Sequence, residues 1–225
     1  MVNEFKREDI INILNQAQCI DSKYELFGAS KHQYKLNPPI SASFVHEVEE
    51  KYGFTLPKDY FSFITEVGDG GAGPEYGIIP FGDFLEKGVS AGAEKFMEAY
   101  RQSVAYPFTP RQMKTDEVED FAITTREVYE QNPERFFIYE KADDNDLCDT
   151  DGFLVLGTYG CQWDFGLVIT GEKRGCIFDT DHEGAYGFVA CSFYEFYRNW
   201  LERISDKRRL QDELEQRRIR FQKRN

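Results

Sequence analysis

Three groups of residues in this chain have types and spacings that could do chemistry. The run Asp143-Asp144-Asn145-Asp146-Leu147-Cys148-Asp149-Thr150-Asp151-Gly152 gathers five carboxylates into nine positions. An EF-hand register with Gly152 sixth would put Leu147 first and Thr158 twelfth, so both key carboxylates are lost. A looser calcium contact, a solvated acidic loop and a surface for a basic partner all stay open for it. Asp179, Asp181, His182 and Glu183 cluster after a candidate strand. A metal there would need ligands from elsewhere, and His32 and His46 are the other two histidines. Gly68-Asp69-Gly70-Gly71-Ala72-Gly73 matches G-x-G-x-x-G. A dinucleotide site needs a strand before such glycines and a helix after them, so that amides meet pyrophosphate. Here a helical pattern precedes the run, Pro74 follows it, and Asp69 and Glu75 would repel phosphate. Positive φ and close packing explain the glycines better. There is no G-x-S-x-G elbow, and no cysteine sits in a catalytic signature. The expectation is a non-enzyme without catalytic, cofactor or metal residues.

The elements that must carry these residues follow from periodicity. Residues 4–18 form an amphipathic helix with Ile10, Leu14 and Ala17 on one side. Ser41 or Ser43 caps a second helix, with Phe44, Val45, Val48 and Tyr52 as its stripe and Gly53 as its stop. A third opens at Pro57, and Tyr60, Phe63, Ile64 and Val67 follow at core-facing spacing before Gly68. Residues 33–36 and 76–81 are expected strands, and 93–101 and 116–131 expected helices. Segments 136–139, 153–158, 166–170, 175–178 and 187–190 are short, β-prone and bounded by Gly, Asp or Asn. Gly171-Glu172-Lys173-Arg174-Gly175 makes a hairpin loop between two of them. Ser192 and Glu195 form a capping box ahead of an apolar face of Phe193, Phe196, Tyr197, Trp200, Leu201 and Ile204. Trp163 is expected in the core more than as a binding anchor.

Charge separates the body from the tail. Residues 202–225 hold nine Lys/Arg against five Asp/Glu, whereas residues 1–201 hold 18 against 35, a balance of −17. Such a body repels nucleic acid and anionic lipid and steers basic partners toward itself. With 20 Phe and 13 Tyr the chain has the aromatic mass for a packed globule. The five cysteines are widely spaced with no C-x-x-C pair, so they read as reduced thiols. No apolar N-terminal run resembles a signal peptide, which makes the cytoplasm the expected compartment.

Glu49, Gly53, Leu56-Pro57-Lys58-Asp59-Tyr60 with Phe63, and Gly68-Asp69-Gly70-Gly71 resemble the SUKH superfamily, which holds bacterial toxin-immunity proteins and fungal regulators of cell-wall glucan synthesis. The run 72–80 is similar to long bacterial members, and a second match lies between residues 153 and 200, including Trp163-Asp164-Phe165-Gly166. The resemblance implies an α+β fold: a mainly antiparallel sheet of about six strands with packed helices. The domain would span residues 1–204, elaborated at about 91–150, with a charged helical extension or tail at 205–225. It also implies an immunity protein that binds and occludes a cognate polymorphic or contact-dependent toxin, a basic nuclease being the expected target. A non-enzymatic regulator or scaffold is the alternative, and a hydrolase around His182 a third reading. Expected contacts are Asp143, Asp144, Asp146, Asp149 and Asp151, then Asp69, Glu75, Asp181 and Glu183. No cofactor, nucleic acid or membrane is expected, and the assembly would be a monomer or weak homodimer.

Overall fold

The N-terminal apolar stripe folds as its spacing predicts. Helix α1 spans Arg7–Ile20 and buries Ile10, Leu14 and Ala17. The computed structural model describes residues 5–83, 100–101, 103–118, 129–138, 151–160, 163–180 and 185–222. A short α2, Ala29–His32, precedes α3, Ala42–Tyr52. Ser41 caps α3 by accepting from Phe44 N at 3.3 Å, and Gly53 ends it at φ 75°. Phe44, expected on the buried stripe, is exposed. Glu49 is buried in this helix instead, where its carboxylate accepts from Leu56 N at 2.6 Å. Helix α4, Lys58–Ser62, follows Pro57 and widens into a π turn over Phe63–Val67. Tyr60, Phe63, Ile64 and Val67 are all buried.

Six antiparallel strands make the sheet: β1 Arg111–Gln112, β2 Phe136–Ile138, β3 Phe153–Gly160, β4 Trp163–Val168, β5 Ile177–Thr180 and β6 Ala185–Ala190. Their order is β1-β2-β6-β5-β4-β3. Leu154, Leu167, Ile177 and Ala190 lie in one cross-strand row. Phe165, two residues before Leu167, shares its face and meets Phe196 at 5.2 Å. That face is therefore covered by α5, Phe193–Ser205. The other face carries Phe137, Phe178 and Tyr186, with the Phe108 ring 5.4 Å from Phe178 and 5.3 Å from Tyr186. Covered on both sides, β4 and the first five residues of the edge strand β3 are buried almost throughout, so they read as continuous apolar runs without alternation.

Helix α5 keeps its cap and its stripe. Ser192 Oγ accepts from Glu195 N at 3.0 Å, while the Glu195 carboxylate reaches back to Cys191 N at 2.9 Å, one residue earlier than a capping box requires. All six of its apolar residues are buried. After Asp206 the chain continues as α6, Lys207–Gln222, whose Leu210 and Leu214 are buried while Ile219 and Phe221 face solvent.

Two expected strands do not form. Residues 33–36 and 76–81 contribute isolated bridges only, Leu36 to Gly71 and Gly71 to Ile78. Gln33 and Tyr34 stand at φ 50° and 57°, and Gly77 at φ 95°, values that an extended ladder excludes. At the start of the expected helix 116–131 stands a 3-10 turn over Thr115–Val118, with the Glu117 carboxylate bonded to Arg111 and to Lys114 N. Residues 129–131 are helical again, and 119–128 fall outside the described residues, as does most of the expected helix at 93–101. Trp163, expected in the core, is 39% exposed at the start of β4. At that strand end its backbone O takes the Thr158 hydroxyl at 3.0 Å, and little of the sheet lies beyond to cover the ring.

Candidate partner-binding surface

Glycines bring three separated segments against one end of the sheet. Gly28 sits at φ 76°, and a Cβ there would overlap the carbonyl oxygen of Glu75. The loop ahead of α2 and the loop around Glu75 can therefore touch backbone to backbone. Gly160, the last residue of β3, leaves room for the Tyr76 ring, 3.2 Å from where its Cβ would stand. Phe27 packs on Tyr76 with ring centroids 4.9 Å apart. Asp21 organises the first loop: buried itself, it accepts from Glu25 N at 2.7 Å, Leu26 N at 3.2 Å and the Tyr34 hydroxyl at 2.9 Å.

Helix α6 closes the other side. Arg218 Nε donates to Glu25 Oε2 at 2.6 Å, and the Arg217 guanidinium lies 6.0 Å from the Phe27 ring and 5.3 Å from the Phe221 ring. The result is a cleft of about 480 Å³ lined by Leu26, Phe27, Glu75, Arg203, Glu213, Gln216, Arg217, Arg220 and Phe221. Phe27 is 44% exposed and Phe221 56%, unusual for large aromatic side chains beside a cleft. Arg203 Nε is buried with no hydrogen-bond partner among the described residues. Burial pushes the Glu75 carboxyl up, Arg203 opposes that shift and Glu213 adds to it. Chemically the cleft offers apolar rings, three guanidinium groups and two carboxylates, a set suited to a protein side chain with both an apolar body and a polar end.

The strand register sorts the acidic residues by sheet end. Gly160 pairs with Trp163, Asp164 with Thr180, and Thr180 with Tyr186. Strand β5 thus ends with Thr180 at the cleft end of the sheet; Asp181, His182 and Glu183 lie outside the described residues. Asp179 and Glu75 both push up the Tyr159 hydroxyl, whose shift comes first from burial. Asp151 is half-buried just ahead of β3. The length of β3, about 23 Å at 3.3 Å per residue, separates it from Glu75. Asp143, Asp144, Asp146 and Asp149 fall outside the described residues. Asp69 belongs to neither end: it is 8% exposed, and its carboxylate accepts from Phe81 N at 2.6 Å. Burial raises that carboxyl to about 6, although the Phe81 amide opposes the shift.

Among the described residues no group of three or more His, Cys, Asp and Glu side chains is placed to hold a metal ion. His32 is turned inward, its ring 5.3 Å from Tyr34 and 6.0 Å from Trp200, and burial lowers it to about 4. No helix among them is long and apolar enough to cross a membrane. The model of the SMI1 / KNR4 family (SUKH-1) matches residues 39–199, which run from just before α3 to the interior of α5. The chain belongs to the SMI1/KNR4 (SUKH-1) family. SUKH members are generally non-enzymatic immunity or regulatory proteins, and the family includes immunity proteins that bind toxins. Compared with curated proteins and with solved structures, this chain matches none. Helices α1 and α2, α6 and the loop with Phe27 lie outside the family match, so the cleft sets elements beyond it against the SUKH-1 residue Glu75. Sequence reasoning passed over Phe27, Arg203, Arg217 and Phe221. The signal that could have found them was a pair of large aromatics with no place in any core stripe.

Proposed function

We propose that this SUKH-1 protein is an immunity protein that binds a basic toxin, with a nuclease as the expected class, and covers its active site. The observation that carries the reading is the balance of −17 over residues 1–201 on a body of this family. A surplus of that size draws a basic partner over distances near the Debye length and speeds encounter. Affinity would come from desolvated aromatic and arginine anchors. The cleft end of the sheet supplies the residue types for them: exposed Phe27 and Phe221 around Arg217, and exposed Trp163 at the start of β4.

Within this reading Asp143, Asp144, Asp146, Asp149 and Asp151 form a first acidic contact. Glu75, at the cleft, forms a second with Asp181 and Glu183. Asp69 is enclosed and committed to Phe81, so the reading does not use it.

The test is co-expression with the C-terminal domain of a large secreted protein encoded beside this gene. Growth rescue together with a stoichiometric complex is the expected outcome. If a toxic neighbour is confirmed and neither appears, the immunity reading for that pair fails.

A further inference from the structure

Cys176 precedes β5 and Cys191 follows β6, each one residue outside the last pair of that ladder. Ile177 pairs with Ala190 at the far end of the β5–β6 ladder from the hairpin. One position further out on both strands, the same register opposes Cys176 to Cys191. Neither backbone N–H bonds to the other cysteine. Cys176 N donates to Lys173 O at 3.0 Å, and its carbonyl accepts from Val168 N at 2.9 Å. Cys191 N donates to Glu195 Oε2 at 2.9 Å. Both amides are thus committed elsewhere, as they are in a non-hydrogen-bonded antiparallel pair. Such pairs hold their Cα atoms about 4.5 Å apart with the side chains drawn together. Disulfides span Cα separations of about 4.4–6.8 Å.

The electrostatics agree with that closeness. Burial is the main cause that raises the Cys176 thiol, and the Cys191 sulfur adds to the rise, while Lys173 opposes it. Access is unequal: Cys191 is exposed and Cys176 half-buried. Cys191 also lines a cleft of about 360 Å³ with Pro57, Lys58, Asp59, Arg174 and Tyr194, between the start of α4, the β4–β5 loop and the start of α5.

We infer that Cys176 and Cys191 are a reversible thiol–disulfide site, oxidised by glutathione disulfide or a similar small disulfide. The Cys191 thiolate attacks one sulfur of glutathione disulfide, forms a mixed disulfide and releases one glutathione thiolate. The Cys176 thiolate then attacks the Cys191 sulfur, closes the protein S–S bond and expels the second glutathione thiolate. The two protons given up by the cysteines end on the two released glutathiones, and two electrons pass from the pair to the oxidant. The exposed thiol acts first and the half-buried one resolves, an order that accessibility favours. The closed bond would tie the end of β6 to the start of β5, directly before the Ser192 cap of α5.

The full chain is equilibrated with glutathione disulfide, free thiols are blocked, and the protein is digested with trypsin. Both cysteines lie in one tryptic peptide, residues 175–198. The expected result is that this peptide loses two hydrogens in mass and regains them on reduction. In Cys176→Ser, Cys191 should instead stay trapped as a glutathione adduct. Cys191→Ser, at an exposed position, tests the same pair with little risk to the fold, and circular dichroism checks both variants. Its peptide should stay free of intramolecular bonding. A stable glutathione adduct on Cys191 in the unmodified chain, or pairing of either cysteine with Cys19, Cys148 or Cys161, would overturn the inference.

Discussion

The glycine-rich loop and the cleft beside α6 meet at Glu75 and Tyr76, but they spend their polar groups in opposite ways. In the loop, Gly71 N donates to Ile78 O at 2.8 Å, Ala72 N to Lys35 O at 2.8 Å, and Ala72 O accepts the Tyr197 hydroxyl at 2.8 Å. Asp69 gives its carboxylate to Phe81 N. The loop resembles a ligand cradle in sequence, yet the fold consumes the groups a ligand would need. In the cleft the reverse holds: Arg203 Nε has no partner among the described residues, and two phenylalanines stand open to water. Groups the fold leaves over, more than motifs it satisfies, are where a partner can gain contacts.

The largest effect that would sharpen this contrast belongs to the loop. Gly71 stands at φ 90° with its would-be Cβ 2.5 Å from Lys35 O. Gly71→Ala should cost about 3 kcal/mol in urea unfolding, because strain and a backbone collision add. A loss below about 1 kcal/mol would show that the loop relaxes freely and is less tightly determined than its bonds imply.

Next in size is Asp69→Ala, which strands the Phe81 amide and should cost about 2 kcal/mol. Asp69→Asn keeps an acceptor and should cost less. Equal losses in the two variants would show that the hydrogen bond is not what Asp69 contributes.

The same residue gives a pH signature. Its folded carboxyl, at about 6, lies above its ordinary value of 3.8, so the folded state holds the proton more tightly and loses stability as pH rises through that window. His32 runs the other way. Lowered to about 4 from 6.5, it contributes stability that is complete above pH 6.5 and is lost as pH falls toward 4. The two oppose each other between about pH 4 and 6. Melting temperature should therefore fall more steeply on acidification in Asp69→Asn than in the unmodified chain, by a few degrees. Parallel profiles for the two would show that Asp69 does not carry the raised carboxyl.

On stability the smallest effects belong to the cleft. Arg217→Ala and Phe221→Ala should each change unfolding free energy by no more than about 0.5 kcal/mol. Under the proposed function they should weaken the toxin complex by about 2 kcal/mol, near 30-fold. Wild-type affinity in both variants would break the comparison and remove the cleft from the contact.

Much of the fold was legible because its signals are local. The stripes of α1 and α5, the Ser41 cap and the Gly53 stop depend on neighbours within a turn or two, and each forms as read. What failed depends on distant partners. Residues 33–36 look extended until Asp21 takes the Tyr34 hydroxyl and α2 forms beside it. Strand β1 has two residues and exists because β2 pairs with it. Phe44 and Trp163 carry the apolar type of core residues, and only packing shows that they stay partly exposed. The cleft was the least legible, since α6 joins the loop ahead of α2 across nearly the whole chain, with Arg218 reaching Glu25. The acidic candidates were visible as composition, but only the packing of Tyr76 on Gly160 and the start of β3 at Phe153 assign Glu75 and Asp151 to opposite ends of β3.

The most direct test of the central claim is titration calorimetry of the purified toxin complex at two salt concentrations. Unmodified protein would be set beside a variant with Asp143, Asp144, Asp146, Asp149 and Asp151 changed to Asn. The account predicts a one-to-one complex that weakens as salt rises, with both affinity and salt dependence reduced in the variant. A complex of unchanged affinity and unchanged salt dependence in the variant would contradict the acidic-contact assignment. The absence of any complex with a toxin that this protein neutralises in cells would contradict immunity by binding.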